Sequence, residues 1–296
     1  MDHKAFLKTL SPNQRATLTT RYNTPALIHL TLHWGLIIVI GLYIGFQLPF
    51  WGLLLMPQGI LISFCFCILH ETVHETPFKS KRMNTLIGSV CAHLIILPKN
   101  WFRYFHLAHH KYTQMPGKDP ELNTPKPETL YQYLRYVTGL PVLLGNFRKI
   151  TKNAFSENND SYVPKGGKGN VRSEAIRMLA VYALIIAGLF SPYSGWIIWC
   201  WLLPLLLGQP FLRLYLLAEH GRCPIVANMF ENTRTTFTTR LIRFLAWNMP
   251  YHIEHHVYPM VPFHKLPALH EIIADNLKST SDGYIEFHKE YLDTLK

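Results

Sequence analysis

Three histidines fall within five residues at His252-Ile253-Glu254-His255-His256, and the same H-x-x-H-H spacing recurs at His106, His109 and His110. With 16 histidines in 296 residues, chance gives roughly 0.05 such triplets per chain, so two of them make a paired motif. His70 and His74 add an H-x-x-x-H pair, and His220 closes a long apolar run. On a helix, positions i, i+3 and i+4 share a face, so each set can aim its imidazoles in one direction. Without a metal, histidines clustered this way would suffer from mutual charging and burial. Imidazole suits Zn, Cu, Fe and Ni. Nine ligands exceed what one ion holds, so His70, His74, His106, His109, His110, His220, His252, His255 and His256 imply two ions.

The acidic residues near these motifs divide by position. Glu71, Asp119, Glu219 and Glu254 are candidates to hold the outward ring N–H groups, as metal-bound histidines require. Glu75 is better read as solvated helix surface. No run carries the Glu and Glu-x-x-His ligands of a carboxylate-bridged bundle. His29 and His33 read as interfacial. His3, His93, His264, His270 and His288 lack the box spacing and are excluded as ligands. Arg213 and Arg234 are candidate contacts for an anionic head group, with surface or lipid-phosphate contact the stronger reading for each.

The elements that must position these residues are apolar. Hydrophobic residues make up 49% of the chain and charged residues 16%. No Asp, Glu, Lys or Arg occurs between Arg21 and Glu71, or between Arg177 and Arg213. Runs of that length are transmembrane candidates, since about 20 residues cross the hydrocarbon core as a helix. The pattern predicts an all-α integral membrane protein. Four transmembrane helices, near 26–48, 52–74, 175–193 and 196–219, form two hairpins. A cytoplasmic helical cap, 77–172 and 221–296, holds the di-metal centre, and the whole chain 1–296 is one domain. The apolar stretch 85–97 is too short to span and reads as re-entrant or interfacial. A single surface helix is expected over 130–144 and a flexible polar loop over 157–170. The two external turns lack charge, so the Lys and Arg distribution places both termini and the site in the cytoplasm. The net charge of +11 follows from that rule, with docking of an acidic electron-transfer protein as the second explanation. The five cysteines show no zinc-type pairing, and no cleavable signal peptide is visible.

The three histidine motifs together resemble the boxes of the integral-membrane fatty acid desaturase and hydroxylase superfamily. The resemblance covers about residues 50–270. Ala218-Glu219-His220 is similar to that family's extra ligand position, and Asn248 to Pro267 resembles the extended third box of bacterial desaturase-like and sphingolipid desaturases. The resemblance implies a non-haem di-iron centre using O2 and two electrons, acting on a lipid or other apolar substrate. Three residues separate His70 and His74, which disfavours the stearoyl-CoA type. The His-Pro-Gly-Gly signature of a fused cytochrome b5 is absent, so electrons are expected from a separate ferredoxin, rubredoxin or cytochrome.

Desaturation is the leading outcome, and hydroxylation of a lipid or isoprenoid by the same ligands is the alternative. A metal-ion transporter would need polar residues across the midplane, where 36–43 and 179–187 offer almost none. A zinc-dependent membrane hydrolase would explain His70-Glu71-Thr72-Val73-His74, an H-E-x-x-H match, but would leave the other histidines surplus to one zinc.

Overall fold

The computed structural model describes residues 2–296 and is all-helical apart from one short parallel strand pair, Thr235–Thr236 with Thr280–Ser281. Two short helices, α1 (His3–Thr9) and α2 (Pro12–Thr19), precede α3 (Thr24–Gly45) and α4 (Leu55–His74). The tight connection between α3 and α4 uses left-handed residues at Gln47 and Phe50. Next come α5 (Lys81–Leu94) and α6 (Lys99–Tyr112), then α7 (Leu130–Val137), α8 (Leu140–Phe155) and α9 (Lys168–Gly188). The return run starts as α10 (Ser194–Ile197), widens to a π-helical turn at Ile198–Leu202 and continues as α11 (Leu203–His220). The remaining helices are α12 (Met229–Asn232), α13 (Arg240–Leu245), α14 (His252–Val257), α15 (Leu266–Ile273) and α16 (Tyr284–Asp293).

Three helical runs are long and apolar enough to cross a membrane: Pro12–Gly45, Trp51–His74 and Ser194–His220. The outward faces support this, since Ile28, Leu32, Ile38 and Val39 of α3 are all more than half exposed. Exposed apolar surface on that scale is stable only against another apolar phase. The run expected over 175–193 instead belongs to a longer helix. α9 begins at Lys168, so Arg172, Glu174 and Arg177 occupy its first turns ahead of the apolar ones.

Two sequence expectations are corrected by local chemistry. The helix over 130–144 is broken into α7 and α8 at Gly139, which adopts φ +69°. A Cβ there would collide with Gln209 of α11, so glycine allows both the turn and the close approach. The polar 157–170 segment is tied down rather than flexible. Asp160 accepts hydrogen bonds from Trp101 Nε1 at 2.7 Å and Lys149 Nζ at 3.1 Å, and the segment ends by entering α9.

The core lies where α4 is wrapped by α5, α6, α11 and the 244–273 region. α4 is buried along most of its length. It crosses α11 at a pair of glycines, Gly59 and Gly208, where a Cβ on either would overlap backbone of the other helix. Small residues at such crossings let apolar helices approach closely where hydrophobic force between them is weak. The π-helical turn frees a carbonyl at Cys200, and Gln58 Nε2 of α4 donates to it at 3.2 Å. His29 and His33 both pack against the protein. His33 is fully buried, with Nε2 2.9 Å from Leu61 O. His29 stacks on Phe244 with Nε2 2.7 Å from its carbonyl. The 240–249 segment folds back over α3, covering His33 and packing on His29. All five cysteines are unpaired.

Candidate metal centre

Each histidine motif ends or forms a helix at the same level. His70 and His74 occupy the last turn and a half of α4, which stops at Glu75 in a left-handed conformation, φ 60°. His106, His109 and His110 lie in the last two turns of α6, and His220 is the final residue of α11. The short α14 supplies His252, His255 and His256, held by the fully buried Ile253 and nearly buried Val257. Eight of the nine rings are buried; His74 is partly exposed.

The nine histidines sort into two groups that cut across the sequence motifs. In the first, nitrogens of His70, His74, His106, His110 and His255 all lie within 4.8 Å of one another. In the second, the same holds for His109, His220 and His256, and His252 Nε2 stands 3.2 Å from His220 Nε2. Each H-x-x-H-H triplet therefore divides between the groups. The i, i+3, i+4 positions share a helix face, yet their ring tips reach different points.

Outer contacts decide what the inward nitrogens carry. Asp119 lies 3.0 Å from His109 Nδ1, so that nitrogen holds the proton and donates. His220 Nδ1 donates to the carbonyl of Asn232 at 3.1 Å. His256 Nδ1 is 3.2 Å from Thr113 Oγ1, whose own hydrogen goes to His109 O, so the hydroxyl accepts from the ring. In a neutral imidazole the second nitrogen then bears a lone pair. The Nε2 atoms of His109 and His220 face one another at 3.1 Å, with Glu121 Oε2 3.4 Å from the former. With both rings neutral the two lone pairs oppose one another, and a cation there, a metal ion or a proton on His109, relieves the repulsion. In the first group His106 Nε2 is 2.8 Å from His74 Nε2 and 3.0 Å from His110 Nε2. Both ring nitrogens of His70 and of His255 are buried without a hydrogen-bond partner. Buried polar atoms left bare in this way cost on the order of 1–3 kcal/mol each, and metal coordination removes that cost.

The charge states agree. Burial, and then the neighbouring histidines, push His106, His110, His252, His255 and His256 well below the ordinary imidazole range. All five are neutral near pH 7, the form that binds a metal. His109 differs: burial lowers it, but Glu121 and Asp119 outweigh burial and raise it.

A cavity of about 320 Å³ lies beside these rings. His70, His106, His109, His220 and His252 form one wall, and Phe66, Phe102, Phe105, Leu143 and Leu212 form much of the rest. The arrangement can hold two metal ions beside a largely apolar channel that also carries Glu121, Lys126, Arg213 and Glu219. The Fatty acid desaturase family matches residues 46–288. The chain belongs to that family. Among curated proteins it is similar to the chloroplastic omega-6 fatty acid desaturase of Spinacia oleracea, 22% identical over 83% of this chain and 60% of that protein. The enzyme of the same description from Arabidopsis thaliana is 24% identical over 74% of this chain and 52% of its own length. The chain thus spans roughly half to three-fifths of the length of these relatives.

Several acidic and basic residues sit differently from expectation, or were not foreseen. Asp119 also accepts from Gln114 N and Glu121 N, at 2.8 and 2.9 Å, so its carboxylate is fixed before it meets His109. Glu219 Oε1 is 3.4 Å from His252 Nδ1, and Glu71 Oε1 is 3.9 Å from His255 Nδ1. Glu254, expected beside a ligand ring, turns away. It accepts from Thr235 Oγ1 and contacts His270 Nδ1, each at 2.5 Å, anchoring α14 to the strand pair and α15. Arg234 does not face the cavity. Its guanidinium donates to the carbonyls of Ala218 and Gly221 at 2.8 and 2.7 Å, capping the end of α11 that bears His220. The sequence reading missed Glu121, which places Oε2 3.4 Å from His109 Nε2 and pairs with Lys126 at 2.8 Å. Burial opposes its ionisation, but Lys126, His109 and His220 together hold its carboxyl well below the usual range. The signal for it was available: Asp119-Pro120-Glu121 places a second acid two residues from the first.

Asp119→Ala strips the acceptor from three donors at once, the His109 ring and two backbone N–H groups. Metal affinity of the second group should fall about 10–100-fold. Retention of cobalt(II) or iron against a chelator titration reads this directly, and wild-type retention would remove Asp119 from the role.

Proposed function

We propose that this protein catalyses O2-dependent oxidation of an unactivated C–H bond in a lipid acyl chain, with desaturation as the outcome. The observation that carries the reading is the convergence of nine imidazoles, eight of them buried, in two groups beside one largely apolar cavity. The balance is R–CH2–CH2–R′ + O2 + 2e⁻ + 2H⁺ giving R–CH=CH–R′ + 2H2O. His70, His74, His106, His110 and His255 would hold one iron, and His109, His220, His252 and His256 the other, with Glu121 close enough to join them. Two irons bound there would supply O2 activation, with electrons from a separate ferredoxin, rubredoxin or cytochrome.

The chain's own residues do the positioning. Asp119, Asn232 and Thr113 fix the tautomers of His109, His220 and His256, and Glu219 stands beside His252 Nδ1. Phe66, Phe102 and Phe105 exclude water and hold a methylene chain against the wall of rings. Which of two neighbouring C–H bonds faces the centre then sets the product, because reactivity there follows geometry.

In this reading the chain is one domain of four spans in two hairpins, with α9 crossing from its apolar half onward. The cap, both termini and the histidine groups lie on the cytoplasmic side, where the Lys and Arg residues gather.

The test is metal analysis joined to product mass spectrometry, using nanodisc-embedded protein supplied with O2, a reductant and candidate lipids. Two irons per chain and a product lighter by two hydrogens are expected. A product heavier by one oxygen identifies a hydroxylase on the same ligands. One zinc per chain with O2-independent turnover overturns the proposal.

A further inference from the structure

One wall of the cavity carries a charge that the chemistry above does not use. Arg213 lines the cavity from the middle of α11. It is 9% exposed, and its Nε has no hydrogen-bond partner. Of the acids on the same cavity, Glu121 pairs with Lys126, and Glu219, near enough to act on Arg213 through space, stands 3.4 Å from His252 Nδ1 and forms no contact ion pair with the guanidinium. Gln209, one turn earlier on the same face, also lines the cavity and leaves its Oε1 bare. An unpartnered guanidinium within a membrane-embedded helix is costly. Lipid phosphates do not solve the problem, because the side chain is turned into the protein and away from the bilayer.

The geometry points to Arg213 as the seat for the anionic end of a single-chain amphiphile, a carboxylate, bound wholly inside this cavity. The inference rests on the oxidation reading and narrows its substrate class. A guanidinium grips a carboxylate through two parallel N–H···O bonds, which is the strongest partner it can find here. Seven residues separate Arg213 from His220 on one helix face, a rise of roughly 10 Å. A carboxylate at Arg213 therefore lays the following methylenes along Leu212 and Phe102 toward the histidines. A volume of about 320 Å³ is at the small end for ligand sites and has room for one short chain. The favoured substrate is then a free or short-chain acid whose head is swallowed, not an esterified chain whose head stays outside.

The experiment measures equilibrium binding of labelled decanoate, decyl phosphate and methyl decanoate to full-length, iron-loaded protein in nanodiscs, with empty nanodiscs subtracted. Decanoate should bind at least tenfold tighter than its methyl ester. Arg213→Gln should erase that preference while leaving ester binding and iron content as in the wild type. Equal binding of acid and ester by the wild type overturns the inference, as does a preference that survives in the variant. Tighter binding of decyl phosphate than decanoate overturns the carboxylate assignment. Should Arg213→Gln fail to fold, the acid–ester comparison on the wild type and on Arg213→Lys, which keeps the charge but not the paired donors, decides alone. Oxidation is scored separately. An acid preference lost in Arg213→Gln without any oxidised product sinks the oxidation reading and leaves the anion seat standing; oxidised ester with no acid preference does the reverse.

Discussion

Replacing His255 by alanine should take bound iron from two per chain to about one and bring turnover to background. His255 is fully buried, and neither ring nitrogen has a hydrogen-bond partner, so its only role on the inward side is toward the five-histidine group. The second group draws on α6, α11 and the other two histidines of α14, and keeps its outer contacts through Asp119, Asn232 and Thr113. One ion should therefore survive. Turnover should not, because groups that act as a unit fail together rather than in proportion. For the same reason the His110→Ala, His255→Ala double variant should be no worse in turnover than either single one. The matched control is His93→Ala. That ring sits on α5, with Nδ1 near Ser89 O and no part in either group, and its loss should leave iron unchanged. Iron by mass spectrometry of the purified protein, with circular dichroism to show that the helices persist, reads the outcome. Two irons in His255→Ala would dismiss the ligand assignment.

The histidine groups were legible in the sequence because a pattern suited to metal ligation restricts residue type and helical spacing together. His106, His109, His110 and the 252–256 triplet announce themselves in that way. The allocation to two groups was not legible. Spacing says that three rings share a face, but ring direction depends on side-chain torsions and on partners such as Thr113 and Asn232, which are distant in sequence. Arg234 and Glu254 misled for a related reason. A charged residue near a ligand can serve the ligand or the helix that carries it, and both of these serve the helix. The apolar runs of α3, α4 and α11 were visible as uninterrupted composition. The start of α9 was not, because its charged first turns read as loop until their contacts with α8 and α6 are known. Gly59 and Gly208 carried no signal, since a glycine in an apolar run looks the same at a crossing and on a lipid face.

That last pair leads to the second large effect. Gly208→Val should prevent assembly of both metal groups although residue 208 lies three turns from His220. A Cβ at 208 would run into the carbonyl of Gly59, and one at 59 into the carbonyl of Pro204. Overfilling a core of side chains typically costs about 1–3 kcal/mol, because neighbours change rotamer. Here the obstacle is helix backbone, which can move only as a rigid rod, so the cost should exceed that range. The rods are the ones that carry His70 and His74 on one side and His220 on the other. Separating them by even 1 Å shifts ligands of both groups against the set on α14, and errors of that size are enough to cost about a hundredfold in rate. The variant should show low iron, a lowered midpoint of thermal unfolding and turnover near background. Gly145→Ala is the counter-test. Nothing lies within 4 Å of a Cβ there, and the residue is inside α8, so helix propensity alone should stabilise it by about 0.5–1 kcal/mol. If Gly208→Val retains iron and its unfolding midpoint, the crossing of α4 and α11 is not what sets the distance between the ligand sets. The spacing would then have to come from the cap, through the anchoring of α14 by Glu254 and the closure of α11 by Arg234.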